Sequence, residues 1–365
     1  MQKRVTTILG YAPLLFVPLS LVLNHLSHFA PSWVVFLAGL AAVGVLADWV
    51  RRGTEQVAAH AGSTIGSLLN VSFGNAAELV LALFVLSSAQ TQVVQAQITG
   101  SIIGTTLLFL GISALVAGLV RNERQVFNQE HVGLLSTLLL LLAVAILLPA
   151  VFHLTERQTA PGANLSRLDE HLSLSVSVVL LLLYAAHLVY VLVSRRSIFE
   201  GQREDECGPP RWSLALGIAV MVGSTIGIAF ESEVVSTRLA ETASQFGLSP
   251  VFMGVVVLAL IGTISDLFVA VTFARAGKMD IVISLCLGSA IQIALVVAPV
   301  LVLVSWAIGH PMNLVFGSPL DLFAIASAAF IVRFIVADGE TTWYEGFLLI
   351  GVYVLFALAF FFQPK

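Results

Sequence analysis

Two acidic residues stand among neighbours that give no reason for charge. Glu78 lies within NVSFGNAAELVLALFVL (70–86), and Asp266 lies within a second apolar run at GTISDL (262–267). A carboxylate in the middle of a bilayer costs about 2.5–3.5 kcal/mol on insertion scales, so a proton, a basic partner or a cation must offset it. No Lys or Arg falls inside the segments that carry these motifs, or inside the segments that follow them, except at their ends. That leaves protons and metal ions. Oxygen-bearing side chains surround both acids: Asn70, Ser72 and Asn75 before Glu78, Thr263 and Ser265 before Asp266, and Ser101, Thr105, Ser289 and Gln292 in the following segments. Such oxygens suit a hard cation such as Ca2+. Gly74 and Gly262 let each helix loosen, so that freed backbone carbonyls complete a coordination shell. Two carboxylates balance one divalent ion, and a carboxyl group removed from water holds its proton more tightly. Competition of Ca2+ and H+ for the same oxygens is then the minimal exchange chemistry. Packing is the competing explanation, since Asn, Ser, Thr and Gly often serve only helix contacts in membranes. It accounts for any single hydroxyl as well as ligation does, but it gives no account of the two acids.

The chain that must position these residues has 365 residues, of which 58% are hydrophobic and 10% charged, with mean hydropathy +0.99 and net charge −4. This is the composition of a polytopic membrane protein. Long unbroken runs of Leu, Val, Ala and Gly argue for helices and against a barrel, which needs short alternating segments. The sequence predicts an all-α protein with eleven apolar segments, at about 8–23, 33–50, 64–88, 94–120, 132–152, 172–194, 213–235, 248–274, 279–306, 320–336 and 343–362. The third, eighth and ninth are long enough to tilt or break. Cys207 falls in a polar loop and Cys286 in an apolar segment, so no disulfide framework is implied. The basic start at Lys3 and Arg4 belongs to a first spanning helix rather than to a cleaved leader.

Orientation follows from Lys and Arg. With the N-terminus inside, 13 of the 17 basic residues fall inside: Lys3, Arg4, Arg51, Arg52, Arg121, Arg124, Arg195, Arg196, Arg203, Arg211, Arg275, Lys278 and Arg333. Arg157, Arg167, Arg238 and Lys365 fall outside. The expectation is N-terminus in the cytoplasm and C-terminus outside, with a bacterial inner membrane as the default host. The linker 195–212 mixes Glu200, Glu204, Asp205 and Glu206 with arginines before Pro209–Pro210, the pattern of a solvated hinge.

The chain also repeats itself. GNAAEL and GSIIG are separated by the same 26 residues (Gly74 to Gly100) as GTISDL and GSAIQ (Gly262 to Gly288), and the copies are offset by 188. That offset pairs Glu78 with Asp266 and Ser101 with Ser289. A polar stretch precedes each copy, at 54–66 and 237–250. The organisation expected is an extra helix (1–30), a five-helix unit (31–194), the linker (195–212) and a second five-helix unit (213–365). Five is odd, so the units face opposite ways, as in the inverted repeats of secondary transporters.

LLNVSFGNAAEL and VVQAQITGSIIG resemble the signature helices of the cation/proton exchanger family, within the Ca2+:cation antiporter superfamily. FGLSPVFMGVVVLALIG, KMDIVISLCLGSAIQIAL and DGETTWYEGFLLIGVYVLFALAFFF are similar to its second half. The resemblance spans about 50–125 and 230–362. It implies an antiporter that expels Ca2+ or a similar ion on the proton gradient, without a cofactor. It carries a cation-binding role onto Gly74, Asn75 and Glu78, matches Ser101, Ser289 and Gln292 to family positions, and sets Glu55 and Glu233 on acidic positions of an ion or proton access path. The second half departs from the family's GNAAEH: Thr263 replaces the asparagine, Asp266 the glutamate and Leu267 the histidine. The departure takes away one amide and one group that titrates near neutrality.

Na+/H+ or Mn2+/H+ exchange on the same scaffold is the first rival, kept open by GTISDL. An intramembrane enzyme with Glu78 and Asp266 as a dyad is the second, and it leaves the repeat unexplained. His187 reads as a helix-bridging residue, and Trp33, Trp49, Trp212 and Trp343 as interfacial anchors. The expected partners are Ca2+, H+ and lipid, with no nucleic acid, and a homo-oligomer is left open.

Overall fold

The structure, a computed structural model, describes residues 12–25, 30–121, 124–159, 165–194, 211–316 and 318–363. For 12, 62–68, 70–72, 157–159, 165–166 and 191–194 it describes the backbone alone. Twelve helices and two short strands follow in order: α1 (Phe16–His25), α2 (Ser32–Phe73), α3 (Ala76–Ser87), α4 (Thr91–Val120), β1 (Arg124–Val126), α5 (Gln129–Thr159), α6 (Leu165–Ser194), α7 (Leu214–Phe246), α8 (Pro250–Gly262), α9 (Ile264–Arg275), α10 (Met279–Ala307), α11 (Pro319–Ile335), β2 (Glu340–Thr342) and α12 (Trp343–Phe361). Among the described residues seven helices are long and apolar enough to cross a bilayer, or eight when the bent pair α8–α9 is one span. Large apolar side chains point outward along them, among them Leu141, Leu182, Phe334 and Leu355, as lipid-facing surfaces require. The chain is a multi-pass membrane protein.

Helix starts follow local chemistry. Ser249 and Ser318 cap α8 and α11, each followed by Pro at the first helical position, where proline's missing N–H costs nothing. Thr342 and Glu345 form a reciprocal capping box on α12. Gly247, at φ 67°, ends α7 in the left-handed conformation that side chains disfavour.

Three features differ from the sequence reading. The segments expected at 33–50 and 64–88 are not separated between 50 and 64: α2 is one helix of 42 residues that includes the polar stretch 54–66. The charges that suggest a boundary there pair along the helix, Arg51 with Asp48 and Glu55, and Arg52 with Asp48, so the helix continues through them. The third segment breaks instead after Phe73, and α3 begins at Ala76. Likewise α7 runs to Phe246, through most of the polar stretch 237–250. Finally, the fold is not purely α. β1 and β2 pair antiparallel, with Arg124 opposite Thr342 and Val126 opposite Glu340. Three-residue strands carry too little alternation to be seen in a sequence.

α2 and α7 pack along their length. Trp33 meets Phe246 edge-on near one end (6.0 Å between centroids), and Trp49 stacks on Trp212 near the other (6.0 Å, 14°). The tryptophans expected at the interface thus also staple this helix pair. α4 crosses α8 at backbone contact: a Cβ at Gly100 would lie 1.9 Å from the Val255 carbonyl oxygen, and one at Gly254 would lie 2.5 Å from the Val93 carbonyl oxygen. Only small residues let membrane helices approach so closely.

The two copies of the repeated motif carry matching backbone. α3 and α9 are both 12 residues long and start from caps of the same shape, Asn75 (φ −105°, ψ 21°) and Thr263 (φ −106°, ψ 4°). Each is followed by one left-handed residue, Ala89 (φ 58°) and Gly277 (φ 76°). Next come Gln90 (φ −95°, ψ 55°) and Lys278 (φ −100°, ψ 63°), which open α4 and α10. Every one of these pairs is 188 residues apart.

The glycine crossing makes a direct test. Gly100→Ala must force α4 from α8 and is expected to destabilise by about 1–3 kcal/mol or more, as overpacked cores do. Gly288→Ala, at the corresponding place in the second copy, meets no atom of the described residues within 4 Å and should melt like the parent. Thermal unfolding of both variants in detergent, followed by size-exclusion profile, checks the contrast.

Candidate functional site

Helix breaks place the two acids. α2 ends at Phe73 and α3 opens at Ala76; α8 ends at Gly262 and α9 opens at Ile264 after a 55° bend. Glu78 and Asp266 each fall three residues after the cap, in the first turn. There they share the positive end of the helix dipole with backbone N–H groups that have no intrahelical acceptor. Neither cap side chain satisfies these groups.

The breaks meet each other. A Cβ on Gly262 would lie 3.3 Å from Glu78 Cγ and 3.5 Å from its Cα, so α3 rests on the end of α8. Glu78 is 1% exposed and Asp266 9%, and their charges act on one another. Among the described residues no group of three or more His, Cys, Asp or Glu side chains is placed to hold a metal ion, at this site or at any other.

Around Glu78 the polar atoms are acceptors in excess. Both its carboxylate oxygens are buried without a hydrogen-bond partner, as are Ser101 Oγ and Gln97 Oε1. Ser101 lies beside the carboxylate, where its hydroxyl can donate one hydrogen bond. Gln97 donates through Nε2 to the Glu78 carbonyl (3.3 Å), which turns its amide group toward α3. Gln97 and Ser101 are one turn apart on α4. Buried oxygens without donors are rare in folded proteins, and one Ser101 hydroxyl cannot serve both Glu78 oxygens and Gln97 Oε1, which leaves room for a proton or a cation.

The Asp266 side is arranged differently. Asn75 donates to Gln292 Oε1 (3.0 Å) and accepts from Ser289 Oγ (3.3 Å), so one amide holds α10 to the first break. Ser289 lies beside Asp266. Thr263, which stands where the second copy would have an asparagine, instead donates to the Ala259 carbonyl of its own helix (2.8 Å). Without an amide there, Ser101 keeps no partner from the second break. Thr105 donates to the Ser101 carbonyl (2.8 Å), and its hydroxyl is used within α4.

The expected residues Glu78, Asp266, Asn75, Gly262, Ser101, Ser289, Thr263 and Gln292 are therefore brought to one region where the broken helices meet α4 and α10, and Gly74 lies at the first break itself. The side chains of Asn70 and Ser72 lie outside the described residues. Glu55 sits on α2 bonded to Arg51 and 38% exposed. Glu233 is exposed on α7, whereas its neighbour Glu231 is fully buried and accepts a hydrogen bond from Ser20 of α1 (2.6 Å). One side chain escaped the sequence reading. Gln97 was legible as a polar residue one turn before Ser101 within an apolar run.

A family model described as sodium/calcium exchanger protein matches residues 31–193 and 216–362. A protein named Ca(2+)/H(+) antiporter from Aphanothece halophytica is 38% identical over 366 residues, covering 96% of this chain and 95% of that one. Ca(2+)/H(+) antiporter ChaA from Bacillus subtilis (strain 168) is 38% identical over 350 residues, covering 94% and 96%. Among solved structures, native YfkE superposes with TM-score 0.80 at 34% identity, covering 97% of this chain and 98% of its own. The crystal structure of the H+/Ca2+ exchanger CAX, at 15% identity and TM-score 0.73 over 97% of this chain and 92% of its own, shares the fold. Over nearly its whole length, then, the chain belongs to the sodium/calcium exchanger protein family.

Proposed function

We propose that this protein is a secondary antiporter that exchanges Ca2+ for H+ across a bacterial inner membrane, with Glu78 and Asp266 as the paired carboxylates that take either ion. The observation that carries the reading is the set of buried, unpartnered oxygens on Glu78, Ser101 and Gln97. Hard cations take six to eight oxygens, and the single Ser101 hydroxyl can donate to only one of these oxygens, so the others suit a proton or such a cation. Relatives named Ca(2+)/H(+) antiporter along the full length of the chain give the same pair of ions.

Asn75, Thr263, Ser289, Gln292 and the backbone at Gly74 and Gly262 complete the proposed ligand shell, and Asn70 and Ser72 remain candidates from the sequence. Ca2+ here is cargo. It is held by Glu78 and Asp266 as carboxylates, and it leaves as both take up protons, so charge in the site is conserved through the cycle. No observation favours Na+/H+ or Mn2+/H+ exchange, or intramembrane catalysis.

The repeat reading supplies the route. Matching caps, lengths and left-handed residues at an offset of 188 support two five-helix units, 31–194 and 213–365, behind an extra helix at 1–30. Residues 195–210 of the linker lie outside the described residues. With eleven spans, the basic residues give an N-terminus in the cytoplasm, a C-terminus outside and oppositely oriented units. Rocking of one unit against the other would expose the site to one side and then the other.

Ca2+ uptake into proteoliposomes with an imposed pH gradient tests this directly. Uptake should follow the gradient, and Glu78→Gln or Asp266→Asn should reduce it to background while eluting as folded protein. Normal transport by either variant would remove the carboxylates from the mechanism. Gly262→Ala should raise KM for Ca2+ several-fold with little loss of Vmax, because its Cβ presses on Glu78 Cγ at 3.3 Å; an unchanged KM would dissociate that contact from the site.

A further inference from the structure

Glu231 is a buried acid that the proposed ion site does not use. It is the eighteenth of the 33 residues of α7, the middle of a helix long and apolar enough to cross a bilayer. It has no counterpart in the other copy of the repeat, because the residue 188 positions earlier, on α2, is Val43. Its contacts lead instead to α1, which precedes both copies of the motif. Ser20 of α1 donates to Glu231 Oε2 (2.6 Å), and both residues are 0% exposed. The third side is α2: a Cβ at Gly39 would lie 3.6 Å from Ser20 Oγ and 3.7 Å from Glu231 Oε2. Glu231 Oε1 is buried without a hydrogen-bond partner. The rest of α1 is peripheral, with Phe16, Leu19, Leu21 and Val22 exposed. Among the described residues, Ser20 to Glu231 is its one side-chain hydrogen bond to another helix.

No charge stands ready to balance a carboxylate here. The helices packed on α7 are α1, α2, α3 and α8. On α1 the titratable group is His25, exposed and five residues past Ser20, about 7 Å of helix rise. On α2 the nearest is Asp48, nine residues past Gly39, about 13 Å away along the axis. Arg51, Arg52 and Glu55 pair with one another and with Asp48 there, and His60 lies further on. α3 carries only Glu78, and α8 carries none. On α7 itself Glu233 is exposed, and Arg238 pairs with Glu241 two turns on. A neutral acid in this pocket leaves one polar bond unmade, whereas a carboxylate leaves a full charge with a single donor, which costs far more at this depth.

We infer that Glu231 is a proton-binding site separate from the transport centre, and that its proton docks α1 on the α2–α7 pair. With the proton in place, Ser20 and the Gly39 notch close over a neutral group. When the proton leaves, the charge can gain water only if α1 gives way, so docking loosens. The attachment of α1 then follows pH without Ca2+ taking part.

Electron–electron double resonance between nitroxides tests this without any transport assay. The labels sit at Val22→Cys on α1 and Leu37→Cys on α2, both on exposed faces, in a chain with Cys207→Ser and Cys286→Ala, in Ca2+-free liposomes. At about pH 6 one narrow distance is expected. At about pH 9.5 its population should fall roughly twofold or more in favour of a longer, broader one, as a two-state equilibrium drawn by proton loss does. Glu231→Gln, which mimics the neutral acid, should hold the short distance at both pH values. Glu231→Leu should do the same, and it keeps the test open if the glutamine variant fails to fold. Glu78→Gln should respond as the parent does. A parent distribution that does not change with pH overturns the inference, as does a response that survives in Glu231→Gln or Glu231→Leu. A response lost in Glu78→Gln also overturns it, since the proton would then belong to the transport centre.

Discussion

A carboxylate taken out of water must be compensated, and in this fold the compensation organises everything around it. Glu78 and Asp266 are compensated in part by position. Each sits in the first turn of a helix that starts inside the bundle, at the positive end of that helix's dipole. That position exists only because two helices break near their glycines. The breaks in turn require α4 and α10 to pass close by and supply side-chain oxygens, and Gly100 and Gly254 let α4 reach α8 at backbone distance. The polar centre and the small-residue crossings are one construction: the acids are affordable only in a bundle tight enough to keep lipid away from them.

That construction leaves the site polarised toward acceptors. A structural polar core pairs donors with acceptors, as the Asn75–Ser289–Gln292 set does. The Glu78 side has two carboxylate oxygens and one amide oxygen against a single hydroxyl donor, that of Ser101. In a core meant only to pack, such an excess is costly at every oxygen. In a site that always holds either protons or a cation, it costs nothing, because the missing positive charge arrives with the cargo. The excess of acceptors therefore separates the transport reading from the packing reading more sharply than the presence of acids alone.

The sequence made the chemistry legible where it was local and the architecture legible where it repeated. Glu78 and Asp266 were visible as charges in apolar runs, and Gly74 and the 262–263 position as places where a helix could loosen; both breaks occur there. The 188-residue offset was visible in a few letters and reappears in the backbone of Asn75 and Thr263, and of Ala89 and Gly277. What failed was inference from charge to boundary. Asp48, Arg51, Arg52 and Glu55 looked like the end of a span, but they neutralise one another along α2 and the helix runs on. The β1–β2 ribbon was invisible for a simpler reason: three residues hold no periodicity.

The departure of GTISDL from the first copy has a physical reading in this structure. An asparagine at the first break ties Ser289 and Gln292 of α10 into a single set, fixing that side of the site. A threonine at the second break reaches only Ala259 of its own helix, so the second break exerts no such hold on Ser101 of α4. One side of the proposed site is thus pre-organised and the other is free to adjust. The aspartate, one methylene shorter than glutamate, retracts the charge on the fixed side, beside Ser289. Asymmetry of this kind suits a carrier better than strict symmetry would. A site gripped equally from both copies would bind its ion well and give it up slowly, whereas a site with one fixed and one yielding half can release the ion by moving the yielding half alone.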